Sequence, residues 1–562
     1  MNDRARAWVA GLAVAGAYSA LGIVPYWSYW SAGGAMVAGK GGDPATDAWF
    51  LAWVPYALAH GHNPLVTDWG NYPGGVNAIA SIGMPLLGVA GAPVTWVAGA
   101  FVTTTLLFTL AFPLSAIAGY AFAREWVSWR PAAFAAGLLY GFSPYLMAHG
   151  GSHLNLVFVP LPPLIFLALT RIVRGAPWLR WGVLLGALCV AQFLISAEVL
   201  ASTVITGAIG LAVATAVCWP AARQRWPHTA RAIASALAVA VVCLAYPLWL
   251  MLAGPGHLRR PVQDTSLYRG NLLAPVIPDS SMYFRTAGSA RLANTFSGGT
   301  SENGLYLGPP LLVVLVVGAV LLWRRPAMKV VALATAAEFV LSLGSRLTIG
   351  HYLLRAVPLP AAIFYYIPVL DNTIAARYSL YVMLGGALMF ALILEAARAG
   401  AAWRCATLAV VVLLPLLPAW PFWLHVTQPP PYFASAVAQD RIQAGSVAVS
   451  YPFPSDDDAY PMLWQVAAGL RYKSPGGRFV IPSGEPLFAR ILIDLSEGTA
   501  PAPTPALRAA LTAQLQAWHV RTVLVQVSGV RPALVLPFFD WLLARPPDTT
   551  TGGIAAWYGT TS

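Results

Sequence analysis

The chain has little charge for its length. Lys, Arg, Asp and Glu make up 10% of its 562 residues, where a soluble domain carries about 25%. So few charges cannot give several soluble domains a polar surface, and the 58% of hydrophobic residues excludes a disordered or collagen-like protein. Low charge and high hydrophobicity together predict a membrane protein with several spanning helices.

Cysteine is scarce, and acidic residues are outnumbered by basic ones. The 4 cysteines lie in or beside apolar runs, so we expect neither a disulfide framework nor a cysteine-type metal site. The 33 basic and 21 acidic residues leave a net charge of +12. In a soluble protein this excess would suggest nucleic acid binding. In a membrane chain the position of the charges matters more, and we expect no nucleic acid partner.

Apolar runs of spanning length recur through the first three quarters of the chain. A helix needs about 20 apolar residues to cross a bilayer, and the sequence offers about 11 such runs. With a cytoplasmic N-terminus every inner loop is basic, as the positive-inside rule requires. The predicted fold class is mainly α, with a polytopic transmembrane helical bundle in residues 1–424. The predicted spans are 7–26, 94–123, 131–148, 154–170, 181–196, 199–219, 232–253, 304–323, 327–344, 378–397 and 405–424.

The same orientation places longer segments on the outer side of the membrane. The C-terminal segment follows a Pro-rich linker and contains strand patterns at 447–451 and 522–527, with a helix pattern at 506–518 between them. This order predicts a small extracytoplasmic α/β domain. The four outer segments are 28–93, 254–303, 345–377 and 425–562.

The first outer loop has two carboxylates near its start. Asp43 and Asp47 lie four residues apart, Pro44 follows Asp43, and Trp49 begins a series of aromatic residues at helical spacing. The pattern predicts a short amphipathic helix on the membrane surface. Helix capping explains the carboxylates as well as a functional role does, because Asp before Pro is a common N-cap. Both interpretations of Asp43 stay open at this point.

Five segments carry recognisable motifs: Gly42 to Pro73, Tyr145 to Pro160, Gly304 to Gly308, Ile367 to Tyr378 and Tyr460 to Gln465. These motifs resemble those of bacterial polytopic glycosyltransferases of the GT-C superfamily. The resemblance implies an enzyme that moves a sugar from a polyprenyl-phosphate carrier to a glycan or lipid acceptor on the extracytoplasmic side of the inner membrane. It also implies inverting transfer, with an acidic residue of the first outer loop as base. Asp43 is the best match to that residue, and Asp47 is the second.

Such an enzyme also needs groups that bind the donor. Arginine suits the phosphate because its guanidinium binds two oxygens at once. A salt bridge of Arg377 to Asp371 and interfacial packing of the histidines are the ordinary alternatives. The candidate phosphate ligands are Arg377, His153, Arg260 and Arg346, and the candidate substrate-binding residues are Glu198, His149, Trp49 and Tyr72.

Metal dependence is left open by the sequence. Some members of the superfamily bind a divalent cation such as Mg²⁺ or Mn²⁺ through acidic residues, and many do not. The first outer loop has no clean Asp-x-Asp or paired Asp-Glu motif, so we assign no cofactor from the sequence.

Two other classes of function also stay open. A transporter or flippase for a lipid-linked sugar would need ionisable residues along a path through the bundle, whereas the carboxylates here cluster toward the outer face. A non-catalytic membrane protein whose outer domain binds a partner would have no need of Asp43. Membrane lipids surround the protein under each interpretation, and a fold alone does not decide between them.

Reporter fusions test the predicted sidedness. A reporter at Arg324 should be cytoplasmic and one at Pro475 should be outside, because Arg324 lies in a basic inner loop and Pro475 follows the last predicted span. The same side at both positions would contradict the orientation, since it requires an odd error in the number of spans between them.

Overall fold

The chain divides into two compact units. The first comprises residues 1–28, 107–245 and 261–422, and the second comprises 29–106, 246–260 and 423–562. The computed structural model describes residues 3–34, 37–38, 42–258, 267–367, 370–398, 402–419, 426–456, 458–481, 486–528 and 531–560.

The first unit is built almost entirely of helices. It also contains one antiparallel hairpin, formed by strands Arg346–Ile349 and Tyr352–Pro358. Helices Ala100–Ala123 and Trp219–Leu252 each extend beyond the limits of the unit. The α-helices are Asp3–Ile23, Ala100–Ala123, Arg130–Gly141, Pro144–His149, Leu154–Val157, Leu161–Val173, Trp178–Phe193, Ala197–Val217, Trp219–Leu252, Ala287–Ala293, Pro309–Leu321, Pro326–Ser342, Ser379–Ala397 and Ala402–Leu413, with 3₁₀ turns at Val24–Tyr26, Thr300–Glu302, Pro360–Tyr366, Leu370–Asn372, Ala375–Tyr378 and Leu414–Leu416.

Every predicted span overlaps a helix of the structure, and the chain is a multi-pass membrane protein. Six of the predicted spans overlap helices that are long and apolar enough to cross a bilayer, and the other five overlap helices of 12 to 17 residues. The prediction of a mainly α, polytopic bundle is therefore confirmed, while the number of helices that cross stays a prediction. Six helices of the described residues are long and apolar enough to cross a bilayer: Trp8–Ser31, Ala100–Ala123, Leu154–Val173, Ala197–Val217, Trp219–Leu252 and Ala375–Ala397.

The second unit combines helices with a four-stranded sheet. Strands Val447–Tyr451 and Val520–Gln526 are parallel, and Ile554–Tyr558 and Thr549–Thr551 extend the sheet antiparallel from Val520–Gln526. The strands and helix predicted in the C-terminal segment are confirmed. Short strands pair Val37–Ala38 with Val426–Thr427 and Val66–Thr67 with Val76–Asn77. The helices of this unit are Asp43–His60, Pro85–Ala98, Ala436–Arg441, Tyr460–Ala467, Leu487–Glu497, Pro505–Ala517 and Pro532–Leu543, with a 3₁₀ turn at Pro431–Ala434.

Helix Asp43–His60 is buried on most of its surface, so the prediction of a surface amphipathic helix was wrong. Twelve of its 18 residues are buried. Trp49 and Trp53 share the predicted face and stack with ring centroids 6.0 Å apart. Another face packs against helix Pro85–Ala98, where a Cβ on Gly88 would lie 2.6 Å from Cβ of Val54. The close approach of these helices explains why a glycine is needed there.

Gln465 joins the first outer loop to the C-terminal segment. Its Oε1 accepts a hydrogen bond from Nε1 of Trp49 at 2.6 Å, and its Nε2 donates to the carbonyls of Trp69 and Tyr472 at 2.8 and 2.6 Å. These bonds place residues 29–106 and 423–562 in one compact unit. The first loop thus contributes to the core of the C-terminal segment, and the division of the chain at 424/425 stays a prediction.

Replacing Gln465 should destabilise the second unit. In Gln465→Ala the buried indole N–H of Trp49 loses its acceptor, and a buried group left without a partner costs about 1–3 kcal/mol. We expect a lower thermal unfolding midpoint for the purified protein in detergent, measured by near-UV circular dichroism. The matched control is Gln443→Ala, because Gln443 is exposed. Equal midpoints for both variants would show that Gln465 does not hold the loop.

Candidate functional site

Asp43 is the first residue of a buried helix. The N-cap position belongs to Gly42, whose φ of 71° suits glycine, so the expectation that Asp43 is the N-cap was wrong by one residue. Asp43 lies in the first turn, where the helix dipole favours negative charge. N-capping therefore does not account for the aspartate at position 43, and the helix dipole is the part of the structural explanation that remains.

Asp43 forms an ion pair with Arg478 within the second unit. Its Oδ1 accepts a hydrogen bond from Nε of Arg478 at 2.9 Å, and the two side chains are 28% and 33% exposed. Nη1 of Arg478 donates to the carbonyl of Asp456 at 2.5 Å. The arginine is thus anchored at a second point, and it holds the Asp43 carboxylate at a position that solvent reaches.

The other candidates of the first outer loop have surroundings that differ from the predicted ones. Asp47 is 3% exposed, so an acceptor does not reach it in this conformation. Trp49 is 0% exposed and its indole is bonded to Gln465, which gives it a packing role instead of the expected contact with substrate. Tyr72 is partly buried against the core of the C-terminal sheet, and Nζ of Lys473 lies 5.3 Å from its ring centroid.

Two predicted residues of the first unit, Arg377 and Glu198, meet in a cluster with a glutamate that the sequence analysis missed. Nη1 of Arg377 donates to Oε2 of Glu198 at 2.5 Å, and Nη2 donates to Oε1 of Glu302 at 2.7 Å. Nε of Arg377 also contacts both Glu302 oxygens, at 3.2 and 3.1 Å. The salt bridge considered for Arg377 thus exists, but its partners are Glu198 and Glu302 and not Asp371.

The two predicted histidines lie beside this ion triad of Glu198, Arg377 and Glu302. His149 is 1% exposed, its Nδ1 is 3.2 Å from Nδ1 of His153, and Nδ1 of His153 is 2.6 Å from Oγ of Ser152. Both histidines are close enough to act on the charge of Glu302. With neutral histidines the triad carries a net charge of −1, which disfavours a phosphate next to Arg377.

The triad controls the ionisation of Glu302. Burial raises the pKa of this carboxyl, but the charge and hydrogen bonds of Arg377, with His149 and His153, outweigh burial and hold the pKa well below its usual range. A depressed carboxyl pKa stabilises the fold at every pH above the ordinary carboxyl range. That contribution is lost as the pH falls through the lowered pKa.

Of the remaining predicted phosphate ligands, the structure describes Arg346, which joins neither group of residues. Arg346 is exposed and donates to the carbonyl of Arg355, and Arg260 lies outside the described residues. In the described part of the chain no three His, Cys, Asp or Glu side chains come together as a metal site. The carboxylate of Asp43 is paired with an arginine, which is not a metal ligand, so its surroundings do not fit a metal ion.

Two residues of these clusters were missed from the sequence. Glu302 stands two residues before the Gly304 to Gly308 motif, and an acid so close to a motif segment was a usable signal. Arg478 lies in the C-terminal segment after Gly476 and Gly477, whereas the predicted phosphate ligands all lie before residue 378. Nothing in the sequence pattern pairs Arg478 with Asp43.

The chain is similar to known proteins at the level of family and fold. A family model described as "Domain of unknown function (DUF6311)" matches residues 11–417, and the chain belongs to this family. No curated protein matches it.

Among solved structures, the arabinofuranosyltransferase AftD from Mycobacteria aligns with 16% identity and a TM-score of 0.59, covering 99% of this chain and 40% of AftD. The oligosaccharyltransferase AglB from Archaeoglobus fulgidus, in complex with an inhibitory peptide and a dolichol-phosphate, aligns with 12% identity and a TM-score of 0.48, covering 99% of this chain and 75% of AglB. ArnT from Cupriavidus metallidurans, bound to undecaprenyl phosphate, aligns with 12% identity and a TM-score of 0.43, covering 99% and 98%.

The likeness to AftD shows the fold. The chain has the GT-C fold that the sequence motifs predicted. The chain spans 40% of the length of AftD, so the activity of the whole AftD protein does not transfer with the fold.

The ion triad should behave as a unit in stability measurements. Arg377→Met leaves two carboxylates without their cation, and removing one partner of a buried ion pair costs about 3–5 kcal/mol. Replacing the whole triad, as Arg377→Met with Glu302→Met and Glu198→Gln, should recover most of that loss. The measurement is the thermal unfolding midpoint in detergent.

The triple variant also tests the predicted role of Arg377 in phosphate binding. If Arg377 contacts the donor phosphate, a stable triple variant will lose donor affinity, and if its role is structural the affinity will persist. A single Arg377→Met variant as stable as wild type would contradict the ion triad itself.

Proposed function

We propose that this member of the DUF6311 family is an inverting membrane glycosyltransferase. It takes a sugar from a polyprenyl-phosphate carrier and passes it to a glycan or lipid acceptor on the extracytoplasmic side of the bacterial inner membrane. The GT-C fold supports transfer chemistry, since the mycobacterial structure with this fold is by name an arabinofuranosyltransferase. The observation that carries the proposal is the partly exposed Asp43 carboxylate, held by Arg478 at the start of a buried helix.

Asp43 is the base in the proposed reaction. Its carboxylate accepts the proton of the acceptor hydroxyl while the hydroxyl oxygen attacks the anomeric carbon of the donor sugar. The bond between that carbon and the phosphate oxygen breaks, and the carrier phosphate leaves with the electron pair. Attack from the face opposite the phosphate inverts the anomeric configuration. The base must lie within hydrogen-bond reach of the hydroxyl, which the exposure of Asp43 permits and the burial of Asp47 does not.

Arg478 is the positioning residue for this base. One nitrogen holds Asp43 and another holds the Asp456 carbonyl, so the guanidinium fixes the carboxylate through a planar, two-point contact that lysine cannot reproduce. A fixed carboxylate needs no reorganisation when the acceptor arrives, which favours proton transfer. The N-terminus of helix Asp43–His60 adds a favourable dipole for the negative charge.

The donor phosphate needs cationic or hydrogen-bonding partners as negative charge develops on the leaving group. Arg377, His153, Arg260 and Arg346 stay the predicted ligands, although the pairing of Arg377 with Glu198 and Glu302 favours a structural role for that arginine. A flippase would need no base at Asp43, so the test of Asp43 also separates the enzyme from that alternative.

The substitution Asp43→Asn tests the proposed base. Asn preserves the shape and the acceptor oxygen for Arg478 but has almost no affinity for a proton, so we expect sugar transfer to fall by about 10²–10⁴. The assay follows radiolabelled sugar from a panel of undecaprenyl-phospho-sugars, arabinofuranose among them, into the acceptors of membranes that contain the protein.

The matched control is Asp68→Asn. Asp68 also forms an ion pair in the second unit, with Lys473 at 2.5 Å, and is 44% exposed. This variant loses a comparable charge pair and should transfer at the wild-type rate. Normal transfer by Asp43→Asn would remove Asp43 as the base, and absence of transfer by the wild-type protein from every donor would contradict the proposed function.

A further inference from the structure

A cavity lies among four helices of the first unit. Its volume is about 200 Å³, which exceeds the roughly 150 Å³ of an engineered cavity that binds benzene. Its walls are mostly apolar and come from helices Leu161–Val173, Ala197–Val217, Pro326–Ser342 and Ser379–Ala397. The candidate site residues Asp43, Arg377, Glu198 and Glu302 do not line it among the described residues. The cavity is therefore separate from the groups discussed above.

Glu338 is a buried carboxyl in the mostly apolar wall of this cavity. Its side chain is 1% exposed, it lines the cavity, and neither carboxyl oxygen has a hydrogen-bond partner among the described residues. The hydroxyl of Thr206, which also lines the cavity, is close to Glu338 but outside hydrogen-bonding geometry, and it lacks a partner as well. Buried polar groups are almost always paired, so these two groups need a partner that enters the cavity.

Two other polar groups of the cavity lining, Tyr381 and Arg174, are already engaged. The hydroxyl of Tyr381 is 2.8 Å from Oγ of Ser202. Arg174 is the second charged group among the described lining residues. Its guanidinium lies 5.1 Å from the centroid of Trp126 and pairs with Glu125 at 3.7 Å. The indole N–H of Trp126 also lacks a partner within the described part of the chain. Among these unpartnered groups, Glu338 and Thr206 lie close to each other, so one ligand group can reach both.

A hydroxyl group satisfies both unmet groups at once. It donates to a carboxyl oxygen of Glu338 and accepts from the hydroxyl of Thr206, or exchanges these roles if Glu338 is protonated. A carboxyl that is buried in an apolar wall without a cation is held in its neutral form. An ammonium or a carboxylate group would then be an isolated charge in the cavity, and burial of an unpaired charge is costly. The chemistry of the wall therefore selects a neutral alcohol with an apolar body.

The cavity is accessible along one wall. Gly207 and Gly210 line it and are only partly buried, and a Cβ added at Gly210 would meet nothing within 4 Å. The absence of side chains at these positions leaves room for a chain to pass from the cavity to the outside of the helix. In a membrane protein the outside of such a helix is lipid, so a lipid molecule has a direct route in.

We propose that this cavity, the Glu338 pocket, binds the hydroxyl end of a long-chain alcohol or of another neutral hydroxylated lipid. The hydroxyl pairs with Glu338 and Thr206, and the apolar chain leaves past Gly207 and Gly210. The proposal does not depend on the glycosyltransferase function, because none of the proposed catalytic groups takes part.

Photolabelling tests the pocket. The probe is hexadecanol with a diazirine in its chain, and the comparison probes are the matching hydrocarbon, amine and carboxylic acid. Labelled peptides from helices Ala197–Val217 and Pro326–Ser342 are quantified by mass spectrometry in the full-length protein. A hydrogen-bonded head group should raise alcohol labelling about tenfold above hydrocarbon labelling, and amine and acid should label no more than the hydrocarbon.

Two variants and a control make the test specific. Glu338→Leu removes the polar anchor, and Gly210→Leu places a side chain in the open space on the proposed route of the apolar chain, so each should reduce alcohol labelling to the hydrocarbon level. Glu338→Gln keeps an acceptor and a donor and should retain labelling. Gly11→Leu is the matched control, because Gly11 is exposed and a Cβ there also meets nothing within 4 Å.

Several outcomes would overturn the proposal. Equal labelling by alcohol and hydrocarbon would show an unspecific apolar groove, and stronger labelling by the amine or the acid would show a different ligand class. Unchanged alcohol labelling in Gly210→Leu would place the ligand elsewhere. The Gly210→Leu result decides the matter even if Glu338→Leu fails to fold.

Discussion

The hydrogen bonds of Gln465 are the constraint on which the proposed site depends. They attach helix Asp43–His60 to the C-terminal segment through Trp49. The carbonyls of Trp69 and Tyr472 accept the hydrogen bonds of the amide nitrogen of Gln465. Because these partners are buried, the attachment fixes the start of the helix, and the chain that follows Gln465 brings Arg478 to Asp43. The position of the proposed base is thus a consequence of core packing in the second unit.

The apolar bundle limits where charge can lie. Arg377 can lie inside the first unit because Glu198 and Glu302 pair with its charge. The same guanidinium offsets the free energy cost of burying the two carboxylates. Glu338 has no such compensation among the described residues. The charges of the ion triad are therefore paired within the protein, which is typical of a structural cluster. The Glu338 carboxyl lacks a hydrogen-bond partner among the described residues, which is typical of a ligand pocket.

Features that depend on neighbouring residues were predictable from the sequence. Spanning helices follow from runs of apolar residues, and strands Val447–Tyr451 and Val520–Gln526 follow from short β-branched runs beside a helix pattern. Partners that lie far apart were not predictable, because no local pattern joins Asp43 to Arg478 across 435 residues or Glu302 to Arg377 across 75. Burial of Asp47 and Trp49 was missed for the same reason, since the elements that cover their helix come from distant segments.

The central claim is that Asp43 and Arg478 act together in proton transfer, and a double-mutant cycle on the turnover rate tests it most directly. The cycle compares the wild type with Asp43→Asn, Arg478→Gln and the double variant in the sugar-transfer assay. If Arg478 works by positioning the Asp43 carboxylate, its replacement slows transfer in the wild type and has no further effect once Asp43 is Asn, because groups that act as a unit are not additive. Independent, multiplicative losses in the two single variants would contradict the account.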